Sequence, residues 1–386
     1  MSTPRRGPRL ADCLSVVVIT AGVVRCVRAT PPGSTPPVVT SGLAADQRVD
    51  LYPTAAARTA DGRFWRVPIH LCVYEPEDDD PLRALVIAPL RELLEGRDDP
   101  AATRLFDQRA HLFLVDHQRG ETVHAGIGDE TWLIGPTAPN GHAFATVDVP
   151  DAIVERVARA GRWLDVEIGS PSEPAHARTS VELVGDEGTS VVSDIDDTVK
   201  ITHVNDRKAM LRATFMAEFE PVPGMADLYA RLAARGASFH WVSLSPWQLA
   251  TPLLEFLARA GFPRGSLHLQ HFRIQDGDFG DLVGSSKEKK IAVIEPLMAT
   301  WPRRRFVLIG DSGQTDPEVY GEVARRHPGQ VEAIWIREVE GKAGEAADDG
   351  AKARRWDAAF AGVAVEKWQL FRDPENVGTR LAHGGR

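Results

Sequence analysis

The chain has 386 residues, of which 43% are hydrophobic, 26% charged and 7% aromatic, a balance that excludes a fibrous or wholly disordered protein and leaves room for two domains. Forty-five Lys and Arg against 54 Asp and Glu give a net charge of −9, which argues against polyanion binding, so nucleic acid is not an expected partner. The three cysteines, Cys13, Cys26 and Cys72, lack zinc-ligand spacing and do not make a disulfide framework.

Residues 1–30 open with Arg5, Arg6 and Arg9, continue with an apolar run from Cys13 to Val24 and reach a small residue at Ala29, the order of a secretory signal peptide. That reading predicts an exported or periplasmic protein. Asp12, Arg25 and Arg28 run against it, and the alternative is a loose tail on a cytoplasmic protein. Residues 31–46, rich in Pro, Gly and hydroxyl residues, read as a linker.

Residues 47–186 are mostly short alternating runs: Trp65–Pro76, Arg109–Gln118, Thr122–Gly128, Thr131–Gly135, His142–Val149, Arg162–Gly169 and Thr179–Gly185. Arg119-Gly120, Pro139-Asn140-Gly141 and Gly185-Asp186 supply turns between them. The pattern predicts an antiparallel β-sandwich-like domain. It is interrupted by a helix over Pro81–Glu95, where Leu82, Leu85, Val86, Leu90 and Leu93 recur at helical spacing. Acidic Glu75–Asp80 reads as a solvated loop.

From residue 187 to 375 the character changes. Apolar runs at Thr189–Asp194, Ser238–Ser243, Arg305–Ile309 and Val331–Ile336 alternate with helical stretches at Met225–Arg235, Trp247–Ala260, Lys290–Thr300 and Pro317–His327. Such alternation predicts an α/β domain with a parallel sheet. Residues 376–386 read as a tail. In parallel sheets ligands bind outside the carboxyl ends of the strands, so the polar residues that follow each run are the ones to inspect.

The first run ends in Asp194, Asp196 and Asp197. Three carboxylates so close together repel one another and call for a cation or donors, and a divalent metal would supply one. Asp194 and Asp196, two apart, project to the same side of an extended chain. The second run ends in Ser243 just ahead of a helix, a natural contact for an oxyanion or phosphate. Lys290 heads the next helix, and the run at Phe306–Ile309 delivers Asp311 with Asp316 five residues on.

A strand with DxDxT, a strand with Ser, then Lys, then a strand with GDxxxxD resembles the ordered motif set of the haloacid-dehalogenase-like phosphohydrolases. More narrowly, SDIDDT, PVPGM, VSLSPWQL and FVLIGDSGQTDPEVY are similar to the phosphatidate phosphatase family associated with yeast actin patches and its bacterial relatives. The likeness covers roughly residues 187–340, and LYPTAAARTADGRFWRVPIHLCVYEP is similar to the β-rich domain that precedes the catalytic domain there. Asp197 stands where many of the wider superfamily have Gly; the narrower family also carries Asp.

The resemblance implies a Rossmann-like parallel sheet, Asp194 as a nucleophile that forms an aspartyl-phosphate, and Asp196 as the proton donor and acceptor. It implies Mg²⁺ held by Asp194, the backbone carbonyl of Asp196, and Asp311, with Asp316 in support. Ser243, Lys290 and Thr198 would contact phosphoryl oxygens. Lys290 is preferred over Lys287 because Ile294, Leu297, Met298 and Trp301 then follow in the helical register of the family.

The spans Val199–Val222 and Ser243–Lys290 leave no room for a large cap, so an open site with a small flap is expected, suited to a bulky or membrane-borne phosphomonoester. Within Asn205–Phe219, Leu211, Phe215 and Phe219 recur four apart beside Arg207, Lys208 and Arg212. The stretch is either a flap packed on the sheet or an interfacial helix that makes peripheral contact with a membrane. The expected activity is Mg²⁺-dependent hydrolysis of phosphatidate, a phosphate-bearing lipid, to diacylglycerol. A phosphoprotein or soluble phosphomonoester is the alternative substrate, and a lipid- or protein-binding scaffold is the alternative class. Gly310-Asp311-Ser312-Gly313 is not a serine-hydrolase elbow, the Asp276–Asp281 stretch lacks the Glu of a calcium loop, His268 and His271 read as structural, and no P-loop is present.

Overall fold

In the first half, the alternating runs fold into a nine-stranded sheet made of β1 (Arg48–Tyr52), β2 (Ala55–Arg58), β3 (Phe64–Glu75), β4 (Asp116–His117), β5 (Val123–Ile127), β6 (Glu130–Ile134), β7 (His142–Pro150), β8 (Trp163–Ile168) and β9 (Ala177–Val184). The structure is a computed structural model and describes residues 43–76, 90–92, 94, 99–169, 175–272, 287–339 and 349–377. The candidate signal segment, most of the linker and the tail, and Asp276–Asp281 lie outside the described residues.

The strand order is β1-β3-β2-β9-β8-β5-β6, with β4 and β7 also paired to β3. Val67, Ile69, Leu71 and Val73 of β3 meet Val147 and Val149 of β7 and Ala125, Leu164, Val166 and Val181 from β5, β8 and β9 in one apolar core. The sheet therefore folds over on itself like a sandwich. It is not wholly antiparallel, because β2 pairs with β9 in parallel: β2 sits in a hairpin with β3, which leaves its far edge to the last strand of the half.

Arg109–Gln118, expected as a strand, is a correction. Helix α1 (Pro100–His111) occupies its start, and only the two-residue β4 follows. The Asp99 carboxylate accepts from Ala101 N at 2.9 Å and Pro100 opens the helix, a strong start signal. Phe106, Arg109 and Ala110 then form the buried face. The helix expected over Pro81–Glu95 lies mostly outside the described residues; Leu90 and Leu94 at its end are helical and buried. A short helix α2 (Asp151–Val157) follows β7.

The second half builds a six-stranded sheet from β10 (Thr189–Ser193), β11 (Ser238–Pro246), β12 (Ser266–Gln270), β13 (Arg305–Asp311), β14 (Val331–Arg337) and β15 (Trp368–Phe371), in the order β12-β11-β10-β13-β14-β15. Every neighbouring pair is parallel. Its helices are α3 (Arg207–Phe215), α4 (Met225–Ala234), α5 (Ala250–Arg259), α6 (Lys287–Thr300), α7 (Asp316–Arg326) and α8 (Asp349–Ala359). The core on one face takes residues from α3, α4 and α5, and that on the other from α6, α7 and α8. This is the α/β architecture the resemblance implies. The central strand β10 is buried from Ser190 to Ser193, as a parallel strand covered on both sides must be.

Leu211, Phe215 and Phe219 of the 205–219 stretch are 2%, 0% and 5% exposed and belong to the main core. The stretch is thus a flap packed on the sheet, and these side chains are turned into the core and not out toward a membrane surface. Among the described residues no helix is long and apolar enough to cross a membrane. The described residues belong to one compact unit.

Candidate active site

Strand β10 lies between β11 and β13, so the carboxyl ends of three strands converge on one point. Asp194 follows β10 directly, and its N–H donates to Ile309 O at 2.9 Å, which carries the ladder one residue past the strand. Its carboxylate is 2% exposed with the rest of the residue. Oδ1 accepts from Lys290 Nζ at 2.7 Å and Oδ2 from Thr198 Oγ1 at 3.1 Å. Lys290 also pairs with Asp316.

Lys290, then, is the lysine that reaches the site; Lys287 pairs with Glu322 on the surface at 3.8 Å.

Asp311 ends β13, and Asp316 opens α7. One ligand oxygen from each of Asp194, Asp311 and Asp316 lies within 4.8 Å of the other two. Oxygens held at about 2.1 Å by one small cation lie at most about 4.2 Å apart, close to this spacing. Gly310 makes the approach feasible: a Cβ there would sit 2.3 Å from Asp316 Oδ2. Asp311 Oδ1 accepts from Gly313 N at 2.6 Å, whereas Asp311 Oδ2 is buried with no hydrogen-bond partner. A bare buried carboxylate oxygen is costly and marks a place for a cation. Three carboxylates against one Lys290 ammonium leave a local excess of negative charge, and the hard oxygen donors suit Mg²⁺.

The electrostatics agree. Burial, with the Asp316 and Asp196 charges and against the pull of Lys290, pushes the Asp194 carboxyl up to about 7. Asp311 is pushed well above the carboxylate range by burial and by its two acidic neighbours. Burial opposes the charge on Lys290 too, but Asp194 and Asp316 outweigh it and raise its pKa.

Asp196 has a separate set of partners. Its Oδ1 accepts from Lys200 Nζ at 2.8 Å and Thr202 Oγ1 at 3.0 Å, and its Oδ2 from Ser243 Oγ at 3.0 Å and Ser245 Oγ at 2.9 Å. Burial works against this carboxylate, yet Lys200 and the hydroxyl donors win and hold it at about 2. The Asp196 side chain is therefore turned away from the acidic trio, so only its backbone carbonyl is left for the metal role that the resemblance implies. Thr198, read as a phosphate contact, spends its hydroxyl on Asp194.

Lys200, Thr202 and Ser245 escaped the sequence reading. Ser245 carried a signal: it lies two residues beyond Ser243, and β11 runs on to Pro246, so the two hydroxyls share a side of the strand. Lys200 sits four residues after Asp196 in an irregular loop, where no period points to it.

Asp194, Asp196, Ser243 and Gln314 give a cleft its polar side, and Val204, Met210, Leu211, Phe215, Leu244, Pro246 and Leu249 give it an apolar wall.

Residues 189–338 match the family model described as phosphatidate phosphatase APP1, catalytic domain. This segment is similar to that catalytic-domain family. The chain is 33% identical over 178 residues to phosphatidate phosphatase APP1 of Saccharomyces cerevisiae, which covers 45% of the chain and 30% of the yeast protein. It is 31% identical over 165 residues to an uncharacterised protein of Schizosaccharomyces pombe, 42% of the chain and 27% of that protein. The chain thus spans less than a third of either relative. Among solved structures, the class C acid phosphatase of Bacillus anthracis with tungstate bound is similar at 19% identity over 48% of this chain and 67% of that one, with a TM-score of 0.26.

Proposed function

We propose that the chain is a Mg²⁺-dependent phosphomonoester hydrolase that works through a phosphate ester of Asp194, with phosphatidate as the substrate. The observation that carries this reading is the convergence of Asp194, Asp311 and Asp316 around the unpartnered Asp311 Oδ2. The match of residues 189–338 to the phosphatidate phosphatase catalytic-domain model and the apolar wall of the cleft support the lipid.

In this mechanism an Asp194 carboxylate oxygen attacks phosphorus and forms the aspartyl-phosphate, while the bond from phosphorus to the leaving oxygen breaks. Asp196, ionised in the resting site, takes up a proton from solvent as Ser243 turns to the phosphoryl group, and gives that proton to the leaving oxygen. Asp196 then takes a proton from the water that attacks the aspartyl-phosphate and regenerates Asp194, a role worth about 10²–10⁴ in rate. Lys290 and Ser243 neutralise and orient the phosphoryl oxygens. Asp194, Asp311 and Asp316, with the Asp196 carbonyl, would hold Mg²⁺, which supplies charge neutralisation to the phosphoryl group. The flap residues Met210 and Leu211 flank the hydrocarbon side of the leaving group.

Purified protein is expected to release phosphate from phosphatidate in detergent micelles with Mg²⁺, to stop in EDTA, and to fall to background as Asp194→Asn. Faster turnover of soluble phosphomonoesters than of phosphatidate would replace the lipid by the soluble substrate; unchanged turnover in Asp194→Asn would remove the covalent step.

A further inference from the structure

Among the described residues two lysines are almost fully buried, Lys200 and Lys290, each 1% exposed. Lys290 is committed to Asp194 and Asp316. Lys200 is committed to Asp196, the other carboxylate of the same loop.

The loop holds Lys200 firmly. Its N–H donates to Ile195 O at 3.0 Å, and its carbonyl accepts from Asp197 N at 2.7 Å and from Thr202 Oγ1 at 3.2 Å. The ammonium lies 4.6 Å from the centre of the buried Phe219 ring, a favourable seat for a desolvated cation. From there Nζ meets Asp196 Oδ1 at 2.8 Å.

Four donors share the two Asp196 oxygens. Ser243 is assigned above to the phosphoryl group, so it leaves Asp196 when substrate arrives. Thr202 and Ser245 give neutral hydrogen bonds, and Lys200 gives the charge-assisted one, the stronger kind. With its side chain 15% exposed, Asp196 still opens onto the cleft.

We infer that Lys200 is a positioning residue that fixes the Asp196 carboxyl in the orientation from which it delivers a proton to the leaving oxygen. This rests on the proposed role of Asp196 as proton donor. Alkyl phosphates need that proton because an alkoxide leaves poorly, whereas a p-nitrophenolate leaves without it. A positioning role therefore shows as a dependence on leaving group, which loss of folded protein cannot imitate.

The test compares wild type with Lys200→Met, Lys200→Arg and Asp196→Asn on phosphatidate micelles and on p-nitrophenyl phosphate, all with Mg²⁺. Lys200→Met retains the stem packed on Phe219. It is expected to lower kcat/KM, which reports the steps up to departure of the leaving group and not the shared hydrolysis of the aspartyl-phosphate, by about 10²-fold on phosphatidate and only a few-fold on p-nitrophenyl phosphate. Asp196→Asn should show the same bias, and Lys200→Arg should recover most of the loss on phosphatidate. Equal losses on both substrates in Lys200→Met, or none, with the bias present in Asp196→Asn, would overturn the role of Lys200 alone. Should Lys200→Met prove unstable, Lys200→Gln decides: a bias in folded Lys200→Gln supports positioning by this side chain, and equal losses or none refute it. Absence of the bias in Asp196→Asn would instead remove the proton-donor reading, and the inference with it.

Discussion

Asp197 has φ +53°, a left-handed conformation that glycine enters freely and other residues enter at a cost. The cost is offset by its carboxylate, which accepts the backbone N–H groups of Thr202 at 2.8 Å, His203 at 3.0 Å and Val204 at 2.6 Å. This side chain ties the start of the flap to the loop that carries Asp194 and Asp196. Asp197→Gly loses the clamp and the strain together; Asp197→Ala loses the clamp and keeps the strain. Both are expected to be less stable than wild type, with the alanine variant about 1–2 kcal/mol below the glycine one, read from urea midpoints. An alanine variant as stable as wild type would mean that the clamp contributes nothing. At this scale the sequence was legible wherever a carboxylate or hydroxyl followed an apolar run, because ligands of a parallel sheet gather at the carboxyl ends of its strands; Asp194, Asp196, Ser243 and Asp311 stood out together in that way. Lys200, Thr202 and the work of Asp197 were not legible. They lie in a loop held by backbone contacts that no periodicity announces.

The flap helix α3 depends on an element far away in the chain. Arg109 of α1 donates through Nη1 to Thr214 O at 2.7 Å and Ala217 O at 2.6 Å, and Arg212 of α3 donates to Leu94 O at 2.6 Å. Between them Phe215 packs on Phe106 and Phe113, with ring centres 6.2 and 5.7 Å away. Removing that ring leaves a cavity at a fully buried position. Phe215→Ala is therefore expected to cost about 3–5 kcal/mol, measured by denaturant unfolding, and to weaken turnover of phosphatidate because the same side chain lines the cleft. A loss below about 1 kcal/mol would show that the flap is not anchored there. Helix α1 itself was misread because Leu112, Phe113 and Leu114 make a short apolar run that fits strand and helix equally; the Asp99-Pro100 cap was the better guide. Strands β12 and β15, of five and four residues, were less visible than the central strands because edge positions are only partly buried and need fewer apolar residues.

Across the whole molecule, the two sheets meet at a cluster of rings. Tyr52 of β1 and His70 of β3 lie 4.6 and 4.3 Å from Trp247, centre to centre, just after β11. His70 shares a 2.9 Å hydrogen bond with His142, and His142 lies 4.6 Å from His271. Burial, and then the neighbouring His271 and His117, lower the pKa of His142 to about 3. Burial, with His142, His271 and His268, pushes His70 well below its usual value. An unfolded histidine binds its proton near pH 6.5, whereas these do so only at much lower pH. Between those values the unfolded chain holds more protons, so stability present at neutral pH is lost as pH falls below about 6.5. In saturating Mg²⁺ the thermal midpoint is expected to fall between pH 7.5 and 5.5, and to fall less in His142→Gln. An equal fall in that variant would place the acid sensitivity elsewhere. The reach of such contacts has a consequence for how the molecule can be cut. The segment that matches the family model begins at residue 189 and ends at residue 338, yet Leu94, Phe106, Arg109 and Phe113 brace its flap from upstream. Portability of the module stops at that brace: transplanted onto another chassis, it needs a substitute buttress before its mouth can keep its shape.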